Sequence, residues 1–446
     1  GPMAARSATP QPLWALVPTA ARARYLRRTA TAILDELEGL ADALADTVGQ
    51  PRTEAILAEL LPSVGGLHDL ADQGPRVLRD RRLGRIPALR AGRRSLLVQA
   101  PRGTVGIRGG TASPWAEPVL ETAAALLAGN AVVLSTPLGE RVRAAFKRGG
   151  VPPELLTLVP PGEDLSALAE HVVDTRPPRG KNTMLVLDGA PLDRTATGAL
   201  WAAFAGGGRH RAAVGRLVVV PSVAEPLITA VVAAAQRLRP GDPRQPETEV
   251  GPLRSPETRA RVEELVAEAV AGGATLLCGG PLELDGVPGA FYAPAVLRGV
   301  PPGAQLLRER APGPVLAVVE AGNEEDAVAL AQGAPSVSVW SGDRARGERV
   351  ARTLGAEVAW VNEHGHSIPG AAVRLAGHVD AHRLASQPTR LRSARWLPYD
   401  PALVQASTAT ARLWHGRENE RLGVLRSGAV PLARTAARLA REALGR

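Results

Sequence analysis

The stretch Pro101-Arg-Gly-Thr-Val-Gly-Ile107, followed by Ala123-Ala-Ala-Leu-Leu-Ala-Gly-Asn-Ala-Val-Val-Leu134, decides the fold of this chain. Its first part contains a short β-type run after Gly103, and its last part ends in an apolar run rich in β-branched residues. Between these runs, the apolar pattern of 115–128 predicts a helix. A strand, a helix and a second strand in this order predict two parallel strands in a covered sheet.

The same alternation continues along the chain in two series. One reaches residue 237 and includes a strand at 131–135, a helix at 163–173 and a strand at 183–187. The other covers 256–361 and includes a helix at 256–271 and a strand at 336–340. Ahead of both, apolar residues at helical spacing in 20–73 predict two or three amphipathic helices. A β-like stretch at 388–397 and two arginine-rich helices follow near the end. We therefore expect an α/β protein with two halves.

Composition excludes several classes of protein. The net charge is +9, from 53 Lys and Arg against 44 Asp and Glu, but the arginines are spread along the chain and aromatic residues make up only 3%. Because few side chains could stack on bases, we expect no nucleic-acid partner, and we expect no membrane association. The single cysteine, Cys278, excludes an internal disulfide. The chain starts without an apolar run of signal-peptide length, so we expect a cytoplasmic protein.

Further motifs follow the opening stretch in a fixed order. They are Gly150-Val-Pro-Pro-Glu-Leu-Leu156, Gly180-Lys-Asn182, Gly198-Ala-Leu-Trp-Ala-Ala-Phe204, Val250-Gly-Pro-Leu253, Gly289-Ala-Phe-Tyr-Ala-Pro294 and Trp360-Val-Asn362. In this order the motifs resemble those of the NAD(P)-dependent aldehyde dehydrogenase superfamily. The resemblance implies an α/β fold with a Rossmann-type N-terminal domain, an α/β catalytic-type domain and a small β oligomerisation arm.

The resemblance also divides the chain into domains. It assigns 3–86 and 101–190 to a degenerate dinucleotide-binding domain, 191–365 to the catalytic-type domain and 366–446 to a C-terminal tail with helices. The stretches 87–100 and 388–397 resemble the family's oligomerisation hairpin and its partner strand. Since edge strands of this kind need a neighbour, we expect a homodimer.

The residues that carry the family's chemistry are replaced in this chain. In the family a cysteine thiolate attacks the aldehyde, and a glutamate activates the water that hydrolyses the thioester. The matching positions hold Arg211 and Pro177, and the asparagine that helps to stabilise the oxyanion is matched by Ala112. A guanidinium stays protonated and is no nucleophile. Cys278 falls in a stretch that resembles a structural strand, where we expect a small core residue.

The family's cofactor contacts are replaced as well. A lysine that reaches the adenine-side ribose is matched by Ser135, and a glutamate that holds the nicotinamide-side ribose is matched by Arg310, with Glu309 one place earlier. Within 159–180 the chain is shorter than the family by about one strand–helix unit, where the phosphate-binding turn should lie. The comparison therefore predicts that NAD and NADP do not bind, and we expect no other cofactor.

The loop at the nucleophile position is a candidate anion site, because Arg209, His210 and Arg211 would face the family's substrate tunnel. The resemblance also implies that the N–H groups of Arg211 and Ala212 point at the family's oxyanion position, and so at a bound anion. Alternatively, the arginines form ion pairs that replaced lost ligand contacts. Neighbouring loops supply the residues for both hypotheses: Arg108, Arg176 and Arg179 as further cations, and Asp174, Glu309 and Glu363 as neutralising acids.

Two other residue types deserve a hypothesis. Trp115 and Trp201 lie on helices that line the tunnel in the family, where they either stack on an organic ligand or pack in the core. His364 and His366 have the spacing of a metal-binding pair on a strand end, but no third ligand is near in the sequence. We therefore expect no metal site.

Three functions remain open at this point. The first is a non-catalytic pseudoenzyme, a binding or scaffolding subunit with a small anionic or carboxylate ligand and a protein partner. The second is an NAD-independent cyclase, dehydratase or isomerase that reuses the tunnel, with acid-base chemistry carried by His210 and one carboxylate. The third is an oxidoreductase with altered residues.

Overall fold

The computed structural model describes residues 11–82, 94–176, 180–365 and 370–386, together with residues 423 and 437. Pro177, Arg179, His366, the stretch 388–397 and the predicted tail helices lie outside the described residues. The chain divides into two compact units, Gly1–Val77 with Pro101–His378 and Leu78–Ala100 with Val379–Arg446.

Helices and strands alternate along most of the described chain. The strands are β1 (Arg81–Arg82), β2 (Arg94–Pro101), β3 (Thr104–Arg108), β4 (Ala131–Ser135), β5 (Leu156–Leu158), β6 (His171–Asp174), β7 (Asn182–Val186), β8 (Val214–Val219), β9 (Thr275–Leu282), β10 (Phe291–Arg298), β11 (Val315–Glu320), β12 (Ser336–Trp340), β13 (Val358–Val361) and β14 (Val379–Ser386). The helices are α1 (Gln11–Leu16), α2 (Thr19–Asp35), α3 (Leu37–Val48), α4 (Arg52–Glu54), α5 (Leu61–Val77), α6 (Ala116–Ala128), α7 (Gly139–Arg148), α8 (Leu192–Phe204), α9 (Pro221–Ala235), α10 (Pro256–Ala271), α11 (Gln305–Arg308), α12 (Glu324–Ala331), α13 (Arg344–Leu354) and α14 (Ala371–Ala376). A π-helical segment, Ala55–Leu60, joins α4 to α5, and short 3₁₀ turns lie at Pro153–Leu155, Leu165–Ala167 and Ala205–Gly208.

The first sheet contains four parallel strands in the order β5-β4-β3-β6. Strands β3 and β4 are the two β runs of the opening stretch, and α6 connects them. Apart from Glu117 and Glu121, every residue of α6 is buried. A helix that is apolar on nearly all sides must be covered on all sides, and α6 contacts α2, α5, β3 and β4. The opening stretch therefore forms the centre of this half of the molecule.

Asn130 explains why a Gly-Asn pair stands at the start of β4. Gly129 ends α6 with φ 99°, a left-handed conformation that favours glycine. The Asn130 side chain is fully buried. Its Nδ2 donates to the carbonyl oxygens of Ala125 at 3.1 Å and His378 at 2.9 Å, and its Oδ1 accepts from the Gly103 N–H at 3.0 Å. One amide thus ties the end of a helix, the turn before β3 and the chain after α14 together.

The second sheet has seven strands in the order β13-β12-β7-β8-β11-β10-β9. Only β9 is antiparallel to its neighbour among these strand pairs. Side chains of α8 and α9 pack against one face of this sheet, and side chains of α12 and α13 pack against the other face. A mostly parallel sheet covered by helices on both faces agrees with the predicted covered sheet.

Two predicted features differ from the structure in the segment between the sheets. The helix predicted at 163–173 is a 3₁₀ turn followed by β6, because Val172 and Val173 pair with β3 instead of forming a helical face. The strand predicted at 183–187 within the first domain pairs with β8 and β12. The change from one sheet to the other therefore takes place between Asp174 and Asn182, ahead of the predicted boundary at 190.

The second unit contains a three-stranded sheet in the order β1-β2-β14. The first two strands are antiparallel. The predicted arm at 87–100 overlaps β2, which begins at Arg94. The predicted partner stretch 388–397 lies outside the described residues, and the strand that the structure places beside β2 is β14.

Candidate functional site

The loop at the predicted nucleophile position begins where α8 ends at the buried Phe204. Gly206, Gly207 and Gly208 follow with φ of 65°, 60° and 72°, the left-handed region that glycine adopts without strain. A Cβ atom on Gly208 would lie 2.3 Å from the carbonyl oxygen of Gly313. The loop packs directly on the backbone ahead of β11 because it has no side chains here, and this contact positions the three residues that follow.

The main chain of Arg211 is held by three hydrogen bonds. Its N–H donates to the carbonyl oxygen of Ala112 at 3.2 Å. Its own carbonyl accepts from Nδ2 of Asn182 at 2.9 Å and from Nη1 of Arg310 at 2.9 Å. The next N–H, that of Ala212, donates to Nδ1 of His210 at 3.2 Å. We expected these two N–H groups to face a bound anion, and this expectation is wrong because both donate within the protein.

The guanidinium of Arg211 is held much more loosely than its main chain. It donates to the carbonyl oxygen of Arg176 at 3.4 Å and lies 3.8 Å from the Glu357 carboxylate. The Glu357 side chain is 67% exposed, and ion pairs in such exposed positions contribute little. The positive charge of Arg211 is therefore only weakly compensated.

Arg310, which stands at the lost ribose contact, ties the loop from the other side. Its guanidinium donates to the carbonyl oxygens of Arg211 at 2.9 Å and Arg209 at 3.1 Å. Burial, with a smaller contribution from Arg211, lowers the pKa of Arg310 to about 10, so the side chain stays charged at neutral pH. The residue that the sequence predicted as a missing cofactor contact is a structural clamp on the loop.

Arg209 faces a buried acid, Glu54, that the sequence did not reveal as a partner. Its Nε donates to the carbonyl oxygen of Gly206 at 2.9 Å, and its Nη1 is buried without a hydrogen-bond partner among the described residues. Its charge is opposed by Glu54, which is 7% exposed and accepts from Nε2 of Gln50 at 2.8 Å. Burial raises the pKa of Glu54, against the lowering effects of the Gly206 N–H, Gln50 and Arg209.

His210 faces another buried acid, Glu59 of the π-helical segment, which is fully buried against the N-terminus of α6. The Glu59 Oε2 accepts from the N–H groups of Trp115 at 3.2 Å and Ala116 at 2.7 Å and from the hydroxyl of Ser113 at 3.3 Å. Burial raises its pKa to about 8. Its Oε1 lies 3.7 Å from Nε2 of His210. Both ring nitrogens of His210 therefore face protein groups, since Nδ1 accepts from Ala212.

Arg211 lines two cavities. The larger has a volume of about 1250 Å³, and we call it the arginine cavity. Among the described residues it is lined by six arginines and two aspartates: Arg108, Arg176, Arg209, Arg211, Arg254 and Arg310, with Asp164 and Asp174. The smaller has a volume of about 290 Å³ and contains His210, Trp360 and apolar residues of α6 and β13 in its wall. We call it the small cavity.

The cations of the arginine cavity are compensated unequally. Arg176 forms a two-pronged ion pair with Asp174, at 2.9 and 2.6 Å. Arg108 lies close enough to Asp164 to help lower the pKa of that carboxyl, after the hydrogen bonds from Ser166. Within the part of the chain that the structure describes, Arg254 and Arg310 have no ion-pair partner.

The acids predicted to neutralise the loop arginines are engaged elsewhere. Asp174 binds Arg176, and Glu309 binds Arg261 at 2.8 Å. Glu363 forms no ion pair in the described ranges. Arg209 and Arg211 instead face Glu54 and Glu357, which are distant in the sequence and were not predicted. The ion-pair hypothesis therefore holds for Arg176 with Asp174 and named the wrong partners for Arg209 and Arg211.

An ionic cluster closes part of the small cavity. The side chain of Arg374 is 1% exposed and binds Glu117 at 3.0 Å and Glu121, while Nε2 of His378 lies 2.6 Å from Glu121. Burial alone would raise the pKa of Glu121, but the hydrogen bond with His378 and the charge of Arg374 hold it below its usual value. The acids in this wall are thus already paired.

The aromatic and histidine candidates predicted from the sequence make contacts within the protein. Trp115 is fully buried, and its Nε1 donates to Ser63 Oγ at 3.1 Å, so it belongs to the core. Trp201 lies on α8, away from the walls of both cavities. His364 stacks on Trp360 with 4.6 Å between ring centres, and burial lowers its pKa to about 4. The described residues hold no group of three or more His, Cys, Asp or Glu placed to bind a metal ion.

Two further motif residues are committed to internal contacts. Ser135 is buried at the end of β4 and its hydroxyl donates to the carbonyl oxygen of Pro160 at 2.9 Å. The buried Lys181 donates to the carbonyl oxygens of Leu306 and Glu309, and burial lowers its pKa to about 7. Both residues support the fold rather than a ligand.

The family of the chain follows from comparison with known proteins. The profile described as "Aldehyde dehydrogenase family" matches residues 3–174 and 179–378, well over half of the chain. The chain belongs to the aldehyde dehydrogenase family. This family member is similar to the 4,4'-diapolycopene aldehyde oxidase of a Methylomonas species, with 28% identity over 82% of this chain and 75% of the relative. It is also similar to a betaine aldehyde dehydrogenase of Cereibacter sphaeroides, with 27% identity over 84% of this chain and 83% of the relative.

Solved structures confirm the fold of this aldehyde dehydrogenase family member. The NAD+ complex of an aldehyde dehydrogenase from Bacillus cereus superposes with a TM-score of 0.73 at 23% identity, covering 84% of this chain and 85% of the other. The predicted aldehyde dehydrogenase-like α/β fold, with a Rossmann-type parallel sheet and a further sheet domain, is confirmed. Among the described residues, no helix is both long and apolar enough to cross a membrane.

The residues present do not fit the nicotinamide cofactor that the family uses. The Ser135 hydroxyl and the Arg310 guanidinium, which the resemblance assigns to the two ribose contacts, are bonded to backbone carbonyls. Between β5 and β6 the structure has a three-residue 3₁₀ turn, Leu165–Ala167. A turn of this length lacks the helix N-terminus that binds phosphate in dinucleotide-binding folds.

Proposed function

We propose that this aldehyde dehydrogenase family member is a pseudoenzyme, a binding or scaffolding subunit that holds an anionic small molecule and does not oxidise aldehydes with NAD or NADP. The observation that carries the proposal is Arg211 at the nucleophile position, at the junction of both cavities. Its guanidinium cannot attack a carbonyl carbon, but it attracts a carboxylate or phosphate.

The backbone around Arg211 supports the loss of aldehyde oxidation. An oxyanion needs N–H donors that point at it, and the N–H groups of Arg211 and Ala212 donate to Ala112 and His210 instead. Ala112 supplies no side-chain donor in place of the family's asparagine. A thiol, a base and the oxyanion donors act as a unit in such chemistry, and here all three are replaced.

The charge of the arginine cavity supports a standing anion site. Six guanidinium groups face two carboxylates along its wall, and one of those carboxylates is committed to Arg176. Guanidinium groups bind carboxylates and phosphates through planar pairs of N–H groups. We propose the arginine cavity as the site of this anion.

Two measurements test this proposal. Mixing the protein with acetaldehyde or betaine aldehyde and either nucleotide should give no NADH or NADPH, and thermal stability should rise in sulfate, phosphate or acetate. The double variant Arg209→Ala/Arg211→Ala should lose the anion response. A matched control, Arg239→Ala/Arg244→Ala, removes two exposed arginines that are paired with Glu249 and Asp46 and should keep the response.

Because Arg209 neutralises the buried Glu54, the double variant risks misfolding, so Arg211→Gln serves as a milder version. A weaker anion response in Arg211→Gln than in wild type is the expected result. Reduced nucleotide in the aldehyde assay, or equal responses to anions in wild type and both Arg211 variants, would overturn the proposal.

The other two functions receive less support from the site. An NAD-independent cyclase, dehydratase or isomerase needs an acid or base that reaches the ligand, and both ring nitrogens of His210 face protein groups. An altered oxidoreductase needs a hydride acceptor, and the ribose contacts are committed to the backbone.

We further propose that the chain forms a homodimer through its three-stranded sheet, and that it is cytoplasmic. The outer position of β14 among the described strands supports the first proposal. The presence of one cysteine, which forms no internal disulfide, supports the second. The domain boundaries given above also remain proposals, apart from the shift of β7 to the larger sheet.

A further inference from the structure

The uncompensated charges of the arginine cavity all lie on one side. Arg108, the last residue of β3, and Arg176, which follows β6, face Asp164 and Asp174. On the side of the seven-stranded sheet, Arg254 and Arg310 have no ion-pair partner in the ranges that the structure describes. A bound anion is therefore attracted most strongly towards the seven-stranded sheet.

These cations come from separate elements, which spaces them around the cavity. Arg254 precedes α10, Arg310 follows α11, and Arg209 and Arg211 precede β8. Thr258 in the first turn of α10 also lines the cavity, and the N-terminus of this 16-residue helix adds partial positive charge. A volume of about 1250 Å³ greatly exceeds the space of one carboxylate or phosphate group. One small anion can contact only part of this wall.

We propose that the arginine cavity binds an organic polyanion, a compact molecule with at least two carboxylate or phosphate groups, through Arg254 and the arginines of the loop. This inference rests on the proposed anion-binding function and specifies its ligand class. Arg254 is the residue that tests it best, because it is exposed and forms no hydrogen bond or ion pair within the described residues. Its replacement therefore leaves no buried group without a partner.

The experiment compares anions of increasing charge by titration calorimetry at constant ionic strength. Tricarballylate, with three carboxylates, should bind at least tenfold more tightly than acetate, and pyrophosphate at least tenfold more tightly than phosphate. The two pairs of probes distinguish a polycarboxylate from a phosphorylated ligand. NAD serves as a further probe, because it carries two phosphates on a bulky body that needs the lost ribose contacts.

Variants of Arg254 locate the site. Arg254→Gln should weaken tricarballylate binding about tenfold, Arg254→Glu should abolish it, and Arg254→Lys should retain most of it. Arg244→Gln makes the same charge change at an exposed arginine bound to Asp46 and should bind like wild type.

The outcomes separate the two proposals. If no anion binds the wild-type protein, the proposed function fails and this inference fails with it. If acetate and tricarballylate bind equally, the proposed function stands and the polyanion proposal is overturned. Equal affinities in Arg254→Gln and Arg244→Gln would place the polyanion elsewhere on this basic protein, and tighter binding of NAD than of tricarballylate would make the cavity a dinucleotide site. Either result contradicts the inference.

Discussion

At the scale of single residues, the site is defined by two arginines with different tasks. Arg211 brings a weakly compensated guanidinium to the wall of both cavities, and Arg310 uses its guanidinium to hold the carbonyl groups of the same loop. Charge for a ligand and support for the backbone are thus provided by neighbouring side chains of the same type. Their replacements should therefore have different effects.

Replacing Arg310 should mainly reduce stability. Arg310→Leu removes two charge-assisted hydrogen bonds to the carbonyls of Arg209 and Arg211, so we expect the free energy of unfolding to fall by roughly 2–4 kcal/mol. Arg298→Leu is the control, because Arg298 binds Glu320 and Glu225 in exposed ion pairs, whose loss should reduce stability much less than the loss of the Arg310 hydrogen bonds. Urea denaturation measures both, and equal losses would show that Arg310 is no clamp.

Introducing the family's nucleophile should not restore its reaction. In Arg211→Cys a thiol would still lack the glutamate base, the oxyanion donors and a bound hydride acceptor. We expect no aldehyde-dependent NADH formation above that of Arg211→Ser, which has a similar volume and no thiol. Iodoacetamide labelling followed by mass spectrometry checks that the new thiol is accessible. NADH formation by the cysteine variant alone would mean that the remaining machinery is intact.

At the scale of elements, the glycine run Gly206–Gly208 lets the loop approach the segment before β11. All three glycines have positive φ, but their surroundings differ. The nearest neighbour of a Cβ on Gly208 would be a backbone oxygen at 2.3 Å, whereas for Gly207 it would be the flexible Arg209 side chain at 3.5 Å. A side chain would cause the same backbone strain at both positions, but only at Gly208 would it also collide with a neighbouring backbone segment.

This difference makes a matched pair of alanine variants informative. Gly207→Ala should lower the free energy of unfolding by about 1–2 kcal/mol, the usual cost of a left-handed conformation in a residue with a side chain. Gly208→Ala should lose a further 1–3 kcal/mol or so, because the backbone of Gly313 must move. Thermal and chemical denaturation report the losses. A smaller loss for Gly208→Ala than for Gly207→Ala would contradict the close packing.

The short connection between β5 and β6 has consequences for cofactor binding. We propose that the 3₁₀ turn in this connection stands in place of the family's strand–helix unit, whose N-terminus would bind phosphate. We expect NAD and NADP to bind with dissociation constants above about 1 mM, or not measurably, in titration calorimetry. The Arg310→Leu variant tests whether the Arg310 side chain prevents nucleotide binding. We expect this variant to bind NAD and NADP no more tightly than wild type. A low-micromolar dissociation constant for either nucleotide would refute the proposal that the phosphate-binding turn is missing between β5 and β6.

At the scale of the whole molecule, the three-stranded sheet decides the assembly that we expect. Its outer strand β14 carries Leu384, which is 53% exposed, and an outer strand with an exposed apolar side chain favours pairing with a second copy. Light scattering at micromolar concentration should give the mass of a dimer. Leu384→Glu should shift the protein towards monomer, whereas Leu330→Glu, at a 38% exposed position on α12, should not. A wild-type monomer would refute the proposal.

The sequence by itself determined the family and its α/β fold. The Gly-Asn pair at 129–130, the strands at 131–135 and 336–340 and the helix at 256–271 are all found where their patterns predicted them. These predictions succeeded because hydrophobic periodicity and glycine conformation are local properties. The segment 163–173 failed because His171–Asp174 is a strand only through its pairing with β3.

Only the tertiary structure decided which charges meet. The acids that face the loop are far from it in the sequence: Glu54, Glu59 and Glu357. Their sequence patterns are those of ordinary polar positions in a helix or at the end of a strand. Whether an arginine clamps the backbone, pairs with an acid or remains available to a ligand depends on the groups that folding places within a few ångströms of it. That distance is set by the packing of separate elements, which no local pattern records.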